Sequence, residues 1–163
     1  LSNTVGGAIF HDGNLLPGDT FRCGEAGHMT LIPDGKPCYC GKTGCVDAYC
    51  SARLLSDLSG GRLEDFFLGL QQNNPDYRSV WDTYLKHLAV VINNLHMLLD
   101  YDIVLGGYVG SFLTPWLDTI RHLVAERNTF EDDGSFVKLC TYQTGAAAYG
   151  AAMDVMEEFL RTV

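Results

Sequence analysis

Three cysteines crowd into one short stretch, Cys38-Tyr39-Cys40-Gly41-Lys42-Thr43-Gly44-Cys45, and His28 stands upstream of them. Three thiolates and an imidazole make the closed four-coordinate set that zinc prefers, with no position left for water. Gly41 and Gly44 give the backbone freedom to wrap Cys40 and Cys45 around one ion. Cys38 and Cys40 point to the same side of an extended stretch, which suits two ligands better than a mutual disulfide. Spacing alone leaves two other readings open: reduced thiols in a loop with His28 as a polar core residue, or disulfides, although so tight a triplet is hard to bridge. Cys23, Cys50 and Cys140 read as isolated thiols.

Two carboxylates flank these ligands. Glu25 opens Glu25-Ala26-Gly27-His28, and Asp47 follows just after Cys45. Taken alone, each is a solvated carboxylate or the N-terminal cap of a following helix. The whole pattern, Gly24-Glu25-Ala26-Gly27-His28 followed by Cys38-x-Cys40-Gly41-x-x-Gly44-Cys45-x-Asp47-x-Tyr49-x-Ser51, resembles the ROK family of repressors, open reading frames and kinases. The likeness is dense over residues 1–56 and continues through Leu105-Gly106-Gly107 and Gly150-Ala151-Ala152.

That resemblance implies an α/β chain: the C-terminal lobe of an actin-like, RNase H-like sugar kinase fold, with a mixed sheet flanked by helices and a zinc-binding loop. Sugar and nucleotide would bind in the cleft between two lobes. It implies a structural zinc on His28, Cys38, Cys40 and Cys45, and sugar contacts from Glu25, His28 and Asp47. Carboxylates accept paired hydrogen bonds from vicinal hydroxyls, and a closed metal site holds the loops that carry them. Asp47 stands where relatives usually carry Glu, one methylene longer.

The nucleotide side departs further. Relatives with kinase activity carry a segment of the kind L-G-T-G-x-G-G-G, whereas this chain reads Leu1-Ser2-Asn3-Thr4-Val5-Gly6-Gly7-Ala8. The nucleotide positions the resemblance implies are Asn3, Thr4, Gly6, Gly7, Gly106 and Gly107. Ser2, Thr4 and Ala8 replace glycines, and a Cβ there obstructs the approach of backbone N–H groups to phosphates. Read from residues alone, Gly6-Gly7 is equally a plain kink in a strand. Tyr108 follows Gly106-Gly107 where kinases usually place a third glycine, and Thr144-Gly145 stands in place of a common Asp-Asp pair.

The asymmetry favours a sugar-responsive transcriptional regulator; the alternative is an active, glucokinase-like ATP-dependent kinase using ATP and Mg. A third reading is a zinc-stabilised interaction module with no sugar ligand. The family's catalytic Asp belongs to the first lobe, so no catalytic residue is assigned here and the fragment alone is expected to phosphorylate nothing. His11, His87, His96 and His122 have no partner motif and read as surface or helix-packing residues. The expected partners are a small-molecule sugar and a second copy in a homo-oligomer, a dimer. DNA would be reached only through a missing N-terminal helix-turn-helix segment.

The elements that must position these groups are legible in outline. Val5 to Phe10, the turn His11-Asp12-Gly13-Asn14 and Leu15-Leu16 read as a hairpin. Met29 to Ile32 reads as a strand closed by Pro33-Asp34-Gly35. Helices are expected over 46–56, 63–70 and 76–100, the last with Val80, Tyr84, Leu88, Val91, Leu95 and Leu98 on one buried face. Strand 103–105, the turn Gly106-Gly107, a helix over 115–127, strand 136–140 and a helix over 145–160 complete one lobe spanning 1–163. Leu1 to Phe10 reads like the inside of a sheet, so the chain is expected to be a fragment lacking its N-terminal part.

The 163 residues are 47% hydrophobic and 19% charged, enough apolar matter for a core. A formal net charge of −9 without a basic run makes the chain's own surface a poor nucleic-acid binder. Apolar runs are broken well before a membrane-spanning length, and no basic n-region or cleavage pattern opens the sequence, so no membrane partner and a cytoplasmic location are expected.

Overall fold

A computed structural model describes residues 1–162. The chain opens without regular structure and then forms a hairpin, β1 (Ile9–His11) and β2 (Asn14–Leu16), antiparallel with Ile9 opposite Leu16. Asp12 and Gly13 both take positive φ, 49° and 78°, as a two-residue hairpin turn demands. A long loop follows, carrying a single 3-10 turn at Ala26–His28. Helices α1 (Asp47–Cys50), α2 (Ala52–Ser56), α3 (Leu63–Gln71) and α4 (Pro75–Leu99) come next.

The second half begins with β3 (Ile103–Leu105) and α5 (Gly107–Gly110), then a 3-10 turn at Thr114–Trp116 that leads into α6 (Leu117–Ala125). Strand β4 (Val137–Leu139) pairs parallel with β3, Ile103 opposite Val137, so α5 and α6 form the crossover that parallel pairing requires. Helix α7 (Ala146–Thr162) closes the chain with Val155, Met156, Phe159 and Leu160 exposed.

Helix α4 organises the core. Asn74 caps it, its side chain accepting from the Asp76 and Tyr77 amides at 3.0 and 3.3 Å, and Pro75 supplies a preset first turn. It ends where Asp100 turns left-handed at φ 54°. Trp81, Tyr84, Leu85, Ala89 and Ile92 are almost wholly buried, against Phe66 and Phe67 of α3 and Ile120 and Val124 of α6. The buried stripe is therefore wider than one helical ridge. Of the expected face, Tyr84, Leu88 and Val91 are buried, whereas Leu98 is 78% exposed, pointing away from the core side of the last turn. On the other side of the same turn His96 is buried: it stacks on Phe136 with centroids 3.5 Å apart and bonds through Nδ1 to the Tyr101 carbonyl oxygen.

Several expected elements differ. In place of one mixed sheet, the described residues hold two separate two-stranded sheets. Leu1 lies along the end of β3, its nitrogen donating to the Gly106 carbonyl and its own carbonyl accepting from Val109, but the chain turns away at Ser2 to Thr4 before the hairpin starts. The hairpin therefore never reaches the β3 edge. Met29 to Ile32 forms no strand, only an isolated bridge from Thr30 to Cys45, because Leu31 and Ile32 both donate to one carbonyl, that of Gly44. The helix expected over 46–56 breaks at Ser51, which is extended at ψ 155°. There the Ala52 amide donates to the Ser2 carbonyl, and the Cys50 carbonyl accepts from the buried Tyr84 hydroxyl at 2.6 Å. Gly106-Gly107 is no plain turn, since Gly107 begins α5.

Candidate functional site

The loop between Met29 and Val46 closes on its own backbone. Val46 donates to the Met29 carbonyl, Gly44 to Lys36, and Cys38 to Lys42, each at 2.8–2.9 Å. Gly44 takes φ +78°, and a Cβ there would collide with the Ile32 carbonyl, so only glycine lets the loop cross itself. From outside, the buried Tyr49 of α1 accepts the Lys36 amide at its hydroxyl, 2.6 Å, fastening the loop to the helix.

This folding brings His28, Cys38, Cys40 and Cys45 together, with ligand atoms all within 4.8 Å of one another. Cys40 Sγ lies 3.8 Å from Cys45 Sγ, and Cys38 Sγ lies 4.0 Å from His28 Nδ1. Sulfurs about 2.3 Å from one tetrahedral ion stand about 3.8 Å apart, whereas a disulfide needs about 2.05 Å. All six cysteines are free thiols. The Cys45 thiol is pushed up to about 11, by burial first and by its sulfur neighbours second. At the exposed tip, Cys40 is shifted down, chiefly by the Lys42 amide donating to it. Three neighbouring thiolates need a cation before they coexist, and these donors fit a closed four-coordinate ion.

The carboxylates sit on the two elements next to these donors, Glu25 ahead of the turn of His28 and Asp47 at the start of α1 after Cys45. Glu25 immediately precedes the 3-10 turn that carries His28 and is exposed. Asp47 is 6% exposed, and its Oδ1 accepts the buried Val5 amide at 2.6 Å. Val5 also lies against the backbone of Gly27, so one residue of the opening segment joins the two elements. Sequence reasoning missed Val5, and it missed Tyr39. The Tyr39 hydroxyl lies 3.1 Å from His28 Nε2, and Cys38 Sγ lies nearest the other ring nitrogen, Nδ1. Ionisation of Tyr39 is pushed up by desolvation, then by the charges of Asp47, Cys38, Glu25 and Cys40. Its position between two ligand cysteines was the available signal.

The expected nucleotide residues are placed less coherently. Asn3 and Thr4 are exposed, and Gly6 has open space where a side chain would be. Gly7 is used for packing, since it crosses Gly24 so closely that a Cβ would come 2.9 Å from the Gly24 carbonyl. Gly107 meets Ser2, whose hydroxyl would lie 2.6 Å from a Cβ added there. Tyr108 and Thr144 line one groove of about 280 Å³ with Ser56, Glu64 and Ser111.

The model of the family described as ROK matches residues 1–158. This chain belongs to the ROK family. It is 29% identical to a glucokinase from Halalkalibacterium halodurans, over 97% of this chain and 55% of the relative. It is 31% identical to an N-acetylmannosamine kinase from Escherichia coli O7:K1, over 98% of this chain and 56% of the relative. Thus the chain spans about half the length of the curated ROK relatives it matches. A ROK glucokinase from Streptomyces griseus, solved with glucose and AMPPNP, superposes with a TM-score of 0.73 at 20% identity, covering 90% of this chain and 55% of its own. A ROK transcriptional regulator, a homologue of the E. coli MLC protein, superposes at 0.66 with 24% identity, covering 85% and 39%. At such identities the two structures speak for the fold alone, a mixed α/β fold resembling that of ROK sugar kinases. Among the described residues no helix is long and apolar enough to cross a membrane.

Proposed function

We propose that the chain is the sugar-binding lobe of a ROK transcriptional regulator, binding a hexose or N-acetylhexosamine through Glu25, His28 and Asp47. His28, Cys38, Cys40 and Cys45 would hold one structural zinc. Its charge would neutralise the thiolates and tie the Cys38–Cys45 loop to the turn that Glu25 precedes, and four protein donors would leave no position for a reacting water. The chain's own residues then do the recognition: the two carboxylates accept from sugar hydroxyls, and Asp47 is aimed by its bond to Val5.

The observation that carries this reading is the contrast between the two sides. The four His and Cys donors lie together and Asp47 is fastened to Val5, whereas at the positions expected for nucleotide the Ser2 hydroxyl abuts Gly107 and Tyr108 stands in the adjoining groove. A sensor needs the sugar to shift its lobes and has no use for phosphoryl transfer. DNA contact, through a separate N-terminal segment, and a cytoplasmic homodimer belong to the same proposal.

The identity to two curated kinases favours a second reading, an active ATP-dependent sugar kinase using Mg, with its catalytic base in another lobe. A coupled phosphorylation assay on the full-length protein separates the two, run across glucose, N-acetylmannosamine and related sugars alongside nucleotide titration. The regulator reading expects sugar binding without turnover. Micromolar ATP binding with turnover in the range of roughly 1–100 per second, usual for kinases, would establish the second reading instead.

A further inference from the structure

His28 presents two ring nitrogens with different company. Nδ1 lies 4.0 Å from Cys38 Sγ, while Nε2 meets the Tyr39 hydroxyl at 3.1 Å. With a metal on Nδ1, the ring proton sits on Nε2 and is donated to the Tyr39 oxygen. The two rings meet edge to face, centroids 5.3 Å apart. Yet Tyr39 is 66% exposed, and among the described residues no second hydrogen bond holds its hydroxyl. It is tethered at its backbone, between two ligand cysteines, and loose at its tip.

We propose that the Tyr39 hydroxyl is a removable stand-in for a ligand hydroxyl: it holds the His28 Nε2 proton, and so keeps Nδ1 on the metal, until a sugar hydroxyl takes its place. The proposal rests on the sugar-site reading above and makes Tyr39 a positioning residue that acts through His28. Three features support it. A metal-bound imidazole needs an acceptor for its second N–H, and loss of such a partner weakens metal binding about 10–100-fold. Glu25 immediately precedes the turn that ends at His28 and Asp47 begins the helix just after Cys45, so a polyol engaging both carboxylates reaches the His28 Nε2 that the Tyr39 oxygen holds. Exchange of one hydroxyl for another leaves the N–H satisfied throughout, whereas a buried, doubly bonded tyrosine would not let go.

The test compares zinc-loaded, full-length wild type with Tyr39→Phe, which keeps the ring and removes only the hydroxyl. Zinc affinity is measured by competition with a chromophoric chelator, without sugar and with saturating glucose or N-acetylmannosamine, and sugar binding is followed by calorimetry. Without sugar, Tyr39→Phe should bind zinc roughly 10–100-fold more weakly, and its His28 Nε2 proton, seen by nitrogen-15 NMR, should exchange faster with water. With sugar bound, the difference in zinc affinity should close. Equal affinities and equal exchange without sugar overturn the role of Tyr39. A difference that persists although calorimetry shows sugar bound overturns the exchange and leaves a fixed support. If neither protein binds any sugar of the panel while the zinc difference is present, the sugar-site reading itself fails.

Discussion

Asp47 offers a quantitative test of how the site is mounted. Its Oδ1 accepts the Val5 amide at 2.6 Å, and the two residues are 6% and 8% exposed. Asp47→Ala removes a hydrogen bond to a charged acceptor and leaves a buried N–H without a partner, a loss of roughly 1.5–3 kcal/mol. For a domain of this length that lowers Tm by roughly 3–12 °C. Asp47→Asn keeps an oxygen acceptor and loses only the charge, so about half of the stabilisation should survive. The assay is urea denaturation with free zinc buffered at one concentration, because metal bound to the native state shifts apparent stability. Zinc affinity should also fall in Asp47→Ala, although Asp47 is not a ligand, since Val5 lies against Gly27 beside His28. An alanine variant within about 0.5 kcal/mol of wild type, or an asparagine variant as unstable as the alanine one, would refute the anchoring role.

The other expectations follow from the same geometry. Cys40→Ser, at the exposed tip of the loop, should abolish stoichiometric zinc while leaving the helical core folded; elemental analysis showing one zinc per chain in the variant would contradict the ligand set. Because the Cys45 thiol is pushed up to about 11, the metal-free cluster is protonated there at neutral pH and the incoming ion must displace that proton. Metal affinity should therefore rise with pH, roughly tenfold per unit for each proton released, and chelator competition that is flat between about pH 6 and 8 excludes this. Tyr84→Phe strands the buried Cys50 carbonyl at the α1–α2 break and should cost about 1–3 kcal/mol in thermal or chemical denaturation, against no measurable change if that bond is incidental.

The features legible in the sequence are those whose causes are local. The β1–β2 hairpin follows from Asp12-Gly13 between apolar pairs, and α4 from its apolar repeat, while its Asn74-Pro75 start came from the structure. The approach of the cysteines was readable for the same reason: Cys38, Cys40 and Cys45 share one loop that closes on its own hydrogen bonds, so spacing alone brings them close together, while leaving free thiols and disulfides open as readings. Only the tertiary structure decided what depends on distant partners. The helix over 46–56 breaks at Ser51 because Ser2 and Tyr84 claim the backbone groups on either side, and neither is visible in a local window. The sheet divides in two because Leu1 spends its pairing on Gly106 and Val109 before the hairpin begins. Asp47 reads as a cap or a free carboxylate until the fold carries Val5 to it, and Tyr39 reads as a loop residue until His28 turns Nε2 toward it. A backbone polar group removed from water must be satisfied by whatever the packing supplies, and which group arrives is a property of the assembled chain.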